Sequence, residues 1–304
     1  MISLPPIYLN TVLIKDLPLH TKIRLAAENG FDGIEMWVND SAPQLLTLDD
    51  RQLALERYEW DCKSTYENPD STVEALQDNK LVFDGIIPGM DILQRWSEGL
   101  DEELLESIGR TFKICALLGG RYVVLPILAE QGSLASIASN LSEIASLAAE
   151  NNVQIGLEPI GHAQLFNSVK DALAVLEAAD TGGTAGIVLD SFHYFRAGQE
   201  LSDLRLLAKE QIMTVQLNDA LDMPVQALLG TKHRYYPGSG IFNVAGFCEA
   251  VLSLGYDGPF TVEIMNSQLW SKPAEEICRK AFDACVSVLS QASGIAPSEA
   301  RITN

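Results

Sequence analysis

Residues 154–190 read QIGLEPIGHAQLFNSVKDALAVLEAADTGGTAGIVLD and hold one complete folding unit. The runs QIGLEP (154–159) and AGIVLD (185–190) are short and mostly apolar, as parallel strands covered on both faces should be. Between them, Ser168–Ala179 is a helical stretch opened by a serine. Each strand brings an acid to its end, Glu158 and Asp190. Strand, helix, strand in this order is the βαβ unit of a parallel sheet.

The same alternation extends in both directions. IYLNTVL (7–13), GIEMWV (33–38), LVFDGII (81–87), YVVLPI (122–127), IMTVQL (212–217) and FTVEI (260–264) complete a set of eight strand-like runs. Helices are expected at His20–Asn29, Glu102–Leu118, Leu134–Glu150, Leu201–Lys209, Val244–Leu254 and Ala274–Leu289. Asp101, Ser133 and Asn243 are suited to open helices, and Gly30, Gly119 and Gly255 to close them. A repeat near ~31 residues predicts an α/β fold, a (β/α)8 TIM barrel. It should form a single domain over 1–293, with 294–304 as a C-terminal tail. Two stretches break the rhythm: 39–80, expected to add a helix or lid, and the long Gly/Pro-punctuated loop 218–242.

The formal charge of −20 argues against nucleic-acid or anionic-membrane partners. Five cysteines, Cys62, Cys115, Cys248, Cys278 and Cys285, are odd in number and form no CxxC, which points to reduced thiols in a cytoplasmic protein. The start MISLPPIYLN has no basic region followed by an apolar one, so no secretory signal is expected.

In this fold the reactive groups stand where strands end. Glu158, Asp190, Gln216 and Glu263 fall at the ends of four successive staves, so four oxygen-bearing side chains should meet at one mouth. Three carboxylates there would repel one another, and one divalent cation would relieve them. All-oxygen ligation favours Mn²⁺ or Mg²⁺, with Co²⁺ or Zn²⁺ as less natural fits. Glu35, on the second strand, is a further candidate for the mouth. Asn218 and Asp219 follow Gln216 closely enough to support it. Trp37 and Trp270 are read as packing residues that could also wall the pocket.

GFDGIEMW (30–37), IGLEPIGH (155–162), GIVLDSFHYF (186–195), VQLNDA (215–220), RYYPGSGIFNV (234–244) and GYDGPFTVEI (255–264) together resemble the xylose-isomerase-like superfamily of sugar phosphate isomerases and epimerases. The resemblance implies that Glu158, Asp190, Gln216 and Glu263 are the metal ligands. It also implies that Glu158 and Glu263 are the catalytic acid and base, and that His193 and Arg234 are substrate-binding; His162, just past the fifth strand, and Glu35, on the second, join them as substrate-binding candidates by position. The implied reaction is isomerisation or epimerisation of a keto-sugar, sugar phosphate or inosose through a metal-bound enediolate. The substrate is then a small polyhydroxy ketone, with homodimeric or homotetrameric assembly left open. Gln216 departs from the histidine usual at that position and resembles the 3-dehydroshikimate dehydratase branch, whereas EPIGH and LDSFH look more like inosose isomerases. A dehydratase-type lyase and a non-catalytic sugar-binding barrel are the alternatives.

Overall fold

The computed structural model describes residues 4–38 and 69–296. Seven strands follow one another as β1 (Ile7–Asn10), β2 (Gly33–Trp37), β3 (Val82–Ile87), β4 (Tyr122–Pro126), β5 (Gln154–Glu158), β6 (Ala185–Asp190) and β7 (Ile212–Leu217). A small antiparallel pair, β8 (Asp219–Ala220) and β9 (Arg234–Tyr235), precedes β10 (Phe260–Val262). β1 to β7 and β10 form a closed barrel in chain order, and every neighbouring pair in it is parallel. This is the (β/α)8 architecture expected from the sequence.

The helices sit where the apolar periodicity places them. Leu19–Glu28, Glu102–Leu117, Leu134–Glu150, Val169–Ala178, Val244–Ser253 and Ala274–Ser293 pack outside the barrel. Asp101, Ser133 and Asn243 each accept a backbone N–H of the first turn, as expected of caps. The helix expected at Leu201–Lys209 is instead two short 3₁₀ turns, Leu201–Leu206 and Lys209–Gln211. A helix at Ser191–Arg196 starts directly off β6 instead. Within 39–80 a helix covers Pro69–Asp78; the rest of that expectation, at 39–68, lies outside the described residues, as do Cys62 and tail positions 297–304.

The largest core among the described residues lies between barrel and helices and includes Ile23, Phe112, Leu141, Phe247 and Leu289. Each such side chain contributes roughly 1.5–3 kcal/mol by burial. That surplus sustains a barrel interior which is only partly apolar: Trp37, Tyr122, Val124 and Val188 share it with Asn10, Glu35, Asp84 and Gln216. Gly85 makes room for this layer, since a Cβ there would come within 2.3 Å of the Tyr122 ring. Cys115, Cys248, Cys278 and Cys285 are free and buried. No helix among the described residues is long and apolar enough to cross a membrane.

Candidate active site

The strand ends open on a cavity of ≈ 180 Å³. Glu158, Glu263, His193, His162 and Arg234 form its polar side, and Trp37, Leu93, Leu128 and Met265 belong to its apolar side. A larger hollow of ≈ 800 Å³ lies at the opposite end, around Tyr8, Asp32 and Val82. That end carries stability rather than chemistry in barrels of this kind.

Carboxylate oxygens of Glu158, Asp190 and Glu263 lie within 4.8 Å of one another, all buried. Gln216 is the cross-strand partner of Asp190 in the β6–β7 register, so both side chains leave the sheet on the same face. Its Nε2 donates to Glu35 Oε1 at 2.8 Å. Its Oε1 is buried and finds no hydrogen-bond partner among the described residues. An unsatisfied buried oxygen costs about 1–3 kcal/mol. A cation among these side chains would remove that cost and the carboxylate repulsion together. Four oxygens without a thiolate or imidazole suit a hard divalent ion, so the residues present fit the expected metal.

Arg234 is 2% exposed and lies on the same oxygens. Its Nη1 donates to Asp190 Oδ2 at 2.7 Å and to Glu263 Oε2 at 2.8 Å, and its Nε donates to the Gly230 carbonyl at 2.8 Å. The loop that brings it in is anchored on both sides. Asp219 accepts the amides of Ala220, Gly240 and Phe242, β8 pairs Ala220 with Arg234, and the Asn266 amide donates to the Arg234 carbonyl. Asp219 therefore organises the loop, whereas Asn218 reaches the site itself and donates to Asp190 Oδ2 at 2.8 Å.

His193 belongs to the helix that starts at Asp190, whose carboxylate accepts the His193 amide at 2.8 Å. Gly161 lets the β5 loop close over it, because a Cβ there would meet the His193 carbonyl at 2.3 Å. Burial, then Arg234, depresses the His193 imidazole to about 3 despite Asp190, so the ring is neutral. Nδ1 faces the Gly161 N–H at 3.2 Å and Nε2 faces Arg234 Nη2 at 3.0 Å. A neutral imidazole has one acceptor nitrogen, so it satisfies one of these donors and leaves the other for an incoming oxygen. The ring of His162, centred 6.3 Å away, also lines the cavity.

Glu35 is placed differently. It is 0% exposed, does not line the cavity, and lies in the barrel interior among Asn10, Tyr122 and Gln216. Trp37 does line the cavity, and its indole N–H has no partner among the described residues. Trp270 turns away and donates to the Val12 carbonyl at 3.0 Å. Asp84 and Tyr122 escape a reading that collects only strand ends, and Asn10 escapes because β1 stops at it and not at Leu13, where the apolar run ends. Their sequence signal is a polar residue at an inward position within β1, β3 and β4.

Burial raises Glu35 to about 7 and Glu263 to about 8, and burial, then Glu263 and Asp190, hold Glu158 well above the usual carboxylate range. For Asp190 burial acts upward too, but Arg234, His193 and Asn218 outweigh it and hold the group low. Between the ordinary glutamate value of 4.5 and about 8 these glutamates bind more protons folded than unfolded, so they make stability fall as pH rises, and His193, depressed from 6.5 to about 3, opposes them only below about 6.5. Metal-free protein is expected to show a declining urea midpoint from pH 5 to pH 8, and Mn²⁺ to flatten the decline. A midpoint that climbs over this range would contradict the assignment.

Residues 23–287 match the family described as xylose isomerase-like TIM barrel. The inosose isomerase of Halalkalibacterium halodurans is 28% identical over 291 residues, covering 93% of each chain. The 3-dehydroshikimate dehydratase of Pseudomonas aeruginosa is 29% identical over 259 residues, which is 84% of this chain and 37% of that one. A solved structure of IOLI protein with a binding zinc atom has the same fold, with a TM-score of 0.77 at 22% identity over 94% of this chain and 99% of that one. With the barrel closed in chain order and the family match running from the first helix to the last, the chain belongs to the xylose isomerase-like TIM barrel family.

Proposed function

We propose that the chain is a divalent-metal-dependent isomerase or epimerase of a keto-sugar or inosose, acting through an enediolate. The observation that carries this is the buried Glu158–Asp190–Glu263 triad, two of whose members line the cavity, together with Gln216, the cross-strand partner of Asp190, whose side-chain oxygen has no hydrogen-bond partner among the described residues. The inosose isomerase relatives, aligned over nearly the whole chain, support the same reading.

Glu158, Asp190, Gln216 and Glu263 would hold the ion. When bound, it supplies Lewis acidity toward a carbonyl oxygen and offsets the carboxylate charge. Glu158 and Glu263 stand on staves three apart, and both line the cavity. A C–H next to a carbonyl can thus lose its proton to one carboxylate and regain one from the other. Reversible epimerisation requires each to be acid in one direction and base in the other. Arg234 and the two histidines are the polar groups available to orient hydroxyls. The apolar wall suits the C–H face of a ring or chain and keeps water from the carbanion.

A second reading, a 3-dehydroshikimate dehydratase-type lyase, is favoured by the glutamine at position 216 and by the Pseudomonas relatives. It needs a cation free to fork the substrate carboxylate. Among the described cavity-lining residues Arg234 is the sole arginine or lysine, and it is already engaged by Asp190 and Glu263. The test is incubation in D₂O with Mn²⁺ and a panel of ketopentoses, ketohexoses and inososes, with 3-dehydroshikimate in parallel. Deuterium is expected to enter at least one ketone, with little aromatic acid from 3-dehydroshikimate. Rapid formation of the aromatic acid, with no label in any ketone, would make the lyase the better assignment.

A further inference from the structure

A glutamine can face a cation with its oxygen or, flipped, face the carboxylates with its NH₂. The flipped amide would donate to the triad and fill the place of the ion. The structure holds one arrangement, and the reason lies a layer deeper in the barrel.

Glu35 Oε1 accepts from two amides at once, Asn10 Nδ2 at 2.7 Å and Gln216 Nε2 at 2.8 Å. The Asn10 amide cannot turn, because its own Oδ1 accepts the Val12 N–H at 3.0 Å. The other glutamate oxygen, Oε2, is 2.9 Å from the Tyr122 hydroxyl. That hydroxyl also lies 3.1 Å from Asp84 Oδ2, and Asp84 Oδ1 accepts from Arg121 Nε at 2.6 Å. The chain of contacts runs from a half-exposed arginine to the metal-site glutamine. Its members are fully or nearly fully buried between the two ends. Asn10 Nδ2, fixed by its own bond to Val12, makes Glu35 Oε1 an acceptor, and a proton on Glu35 has its place on Oε2, where the Tyr122 hydroxyl can accept it and donate on to Asp84. Gln216 can therefore turn only its nitrogen toward Glu35, and its oxygen is left for the triad.

We infer that Glu35 is a positioning residue that fixes the Gln216 amide with its oxygen toward the three carboxylates, making a glutamine serviceable as an ion ligand. This rests on the reading of the site as a metal centre. It departs from a substrate-binding role for Glu35, which does not line the cavity.

The experiment is a Mn²⁺ titration by calorimetry of the full chain and of five variants. Glu35→Met removes the acceptor at nearly the same length and is expected to weaken Mn²⁺ binding by ~10–100-fold, the usual effect of losing a group that orients a ligand. Glu35→Gln should stay within about threefold of wild type, because its oxygen can still accept both amides while its NH₂ donates to Tyr122 and Tyr122 donates to Asp84. In a Gln216→Met background, Glu35→Met should cause no further loss, since the group it acts through is gone. Glu35→Asp draws the acceptor back by one methylene, and at least about tenfold weaker binding is expected even if Glu35→Met does not fold. Failure of wild type to bind Mn²⁺ would sink the metal reading itself. Normal binding by wild type with unchanged binding by Glu35→Met or Glu35→Asp would overturn only the positioning role. So would an equal loss in the Gln216→Met background, which would mark a general effect on the fold.

Discussion

Glu158→Gln and Glu263→Gln are each expected to lower kcat by about 10²-fold or more, the usual worth of a general acid or base. The substitution keeps the shape and leaves one oxygen for the ion, but removes the ability to take and return a proton. Mn²⁺ binding should therefore fall far less than turnover. If the two carboxylates serve opposite faces of an enediolate, each variant should also retain a partial reaction. The surviving carboxylate would still exchange hydrogen with D₂O in the epimer whose C–H faces it, without converting that epimer into the other. Exchange that outlasts epimerisation, in opposite epimers for the two variants, is the signature. A Glu263→Gln protein with near-normal kcat would remove Glu263 from the chemistry, and loss of exchange in both epimers in both variants would argue against a two-carboxylate mechanism.

The barrel was legible in the sequence because burial on both faces leaves a strand no choice but a short apolar run. β5, β6 and β7 carry that mark over most of their length, and their ends are located well enough to line up Glu158, Asp190 and Gln216. The segment after β6 was less legible. HYF and LRLL are both apolar enough for a helix, and what decides between them is the carboxylate of Asp190, which caps the helix carrying His193 and commits the chain to turn there. Glu35 shows the larger limit. An acid on a barrel strand reads as a mouth residue when only its residue type and stave are known. Its depth depends on β2–β3 register, which shifts between Ile34 and Glu35, and on the space left by Gly85 for the Tyr122 ring. Neither is visible in a strand's own periodicity. Arg234 was found from the RYYPGSG motif, yet its pairing with Asp190 and Glu263 comes from the Asp219-anchored loop, a contact across 44 residues for the first and 29 for the second.

Arg234→Ala is expected to destabilise the metal-free chain by ~3–5 kcal/mol, the usual cost of stranding buried charges that have lost their partner. The guanidinium is the cation nearest the triad among the described residues, within 2.8 Å of both Asp190 and Glu263. Removing it leaves Asp190 without the group that holds its ionised form, and Glu263 without the interaction that most opposes its burial. A divalent ion can take over that compensation. Mn²⁺ at ~100 times its Kd returns about 2.7 kcal/mol to any chain that binds it, and the variant should bind at least as tightly as wild type because one positive charge has left the site. Urea denaturation with EDTA and with Mn²⁺ measures both effects: a large gap between variant and wild type without metal, and a smaller one with it. Turnover should separate the second role, since Arg234 also borders the cavity, and a group that binds equally in ground and transition states raises KM more than it lowers kcat. A metal-free variant within about 1 kcal/mol of wild type would mean that the triad is already neutralised by protons. The pH slope expected above would then be steeper in the variant than in the wild type, so the two measurements together decide whether arginine or protons hold the empty site together.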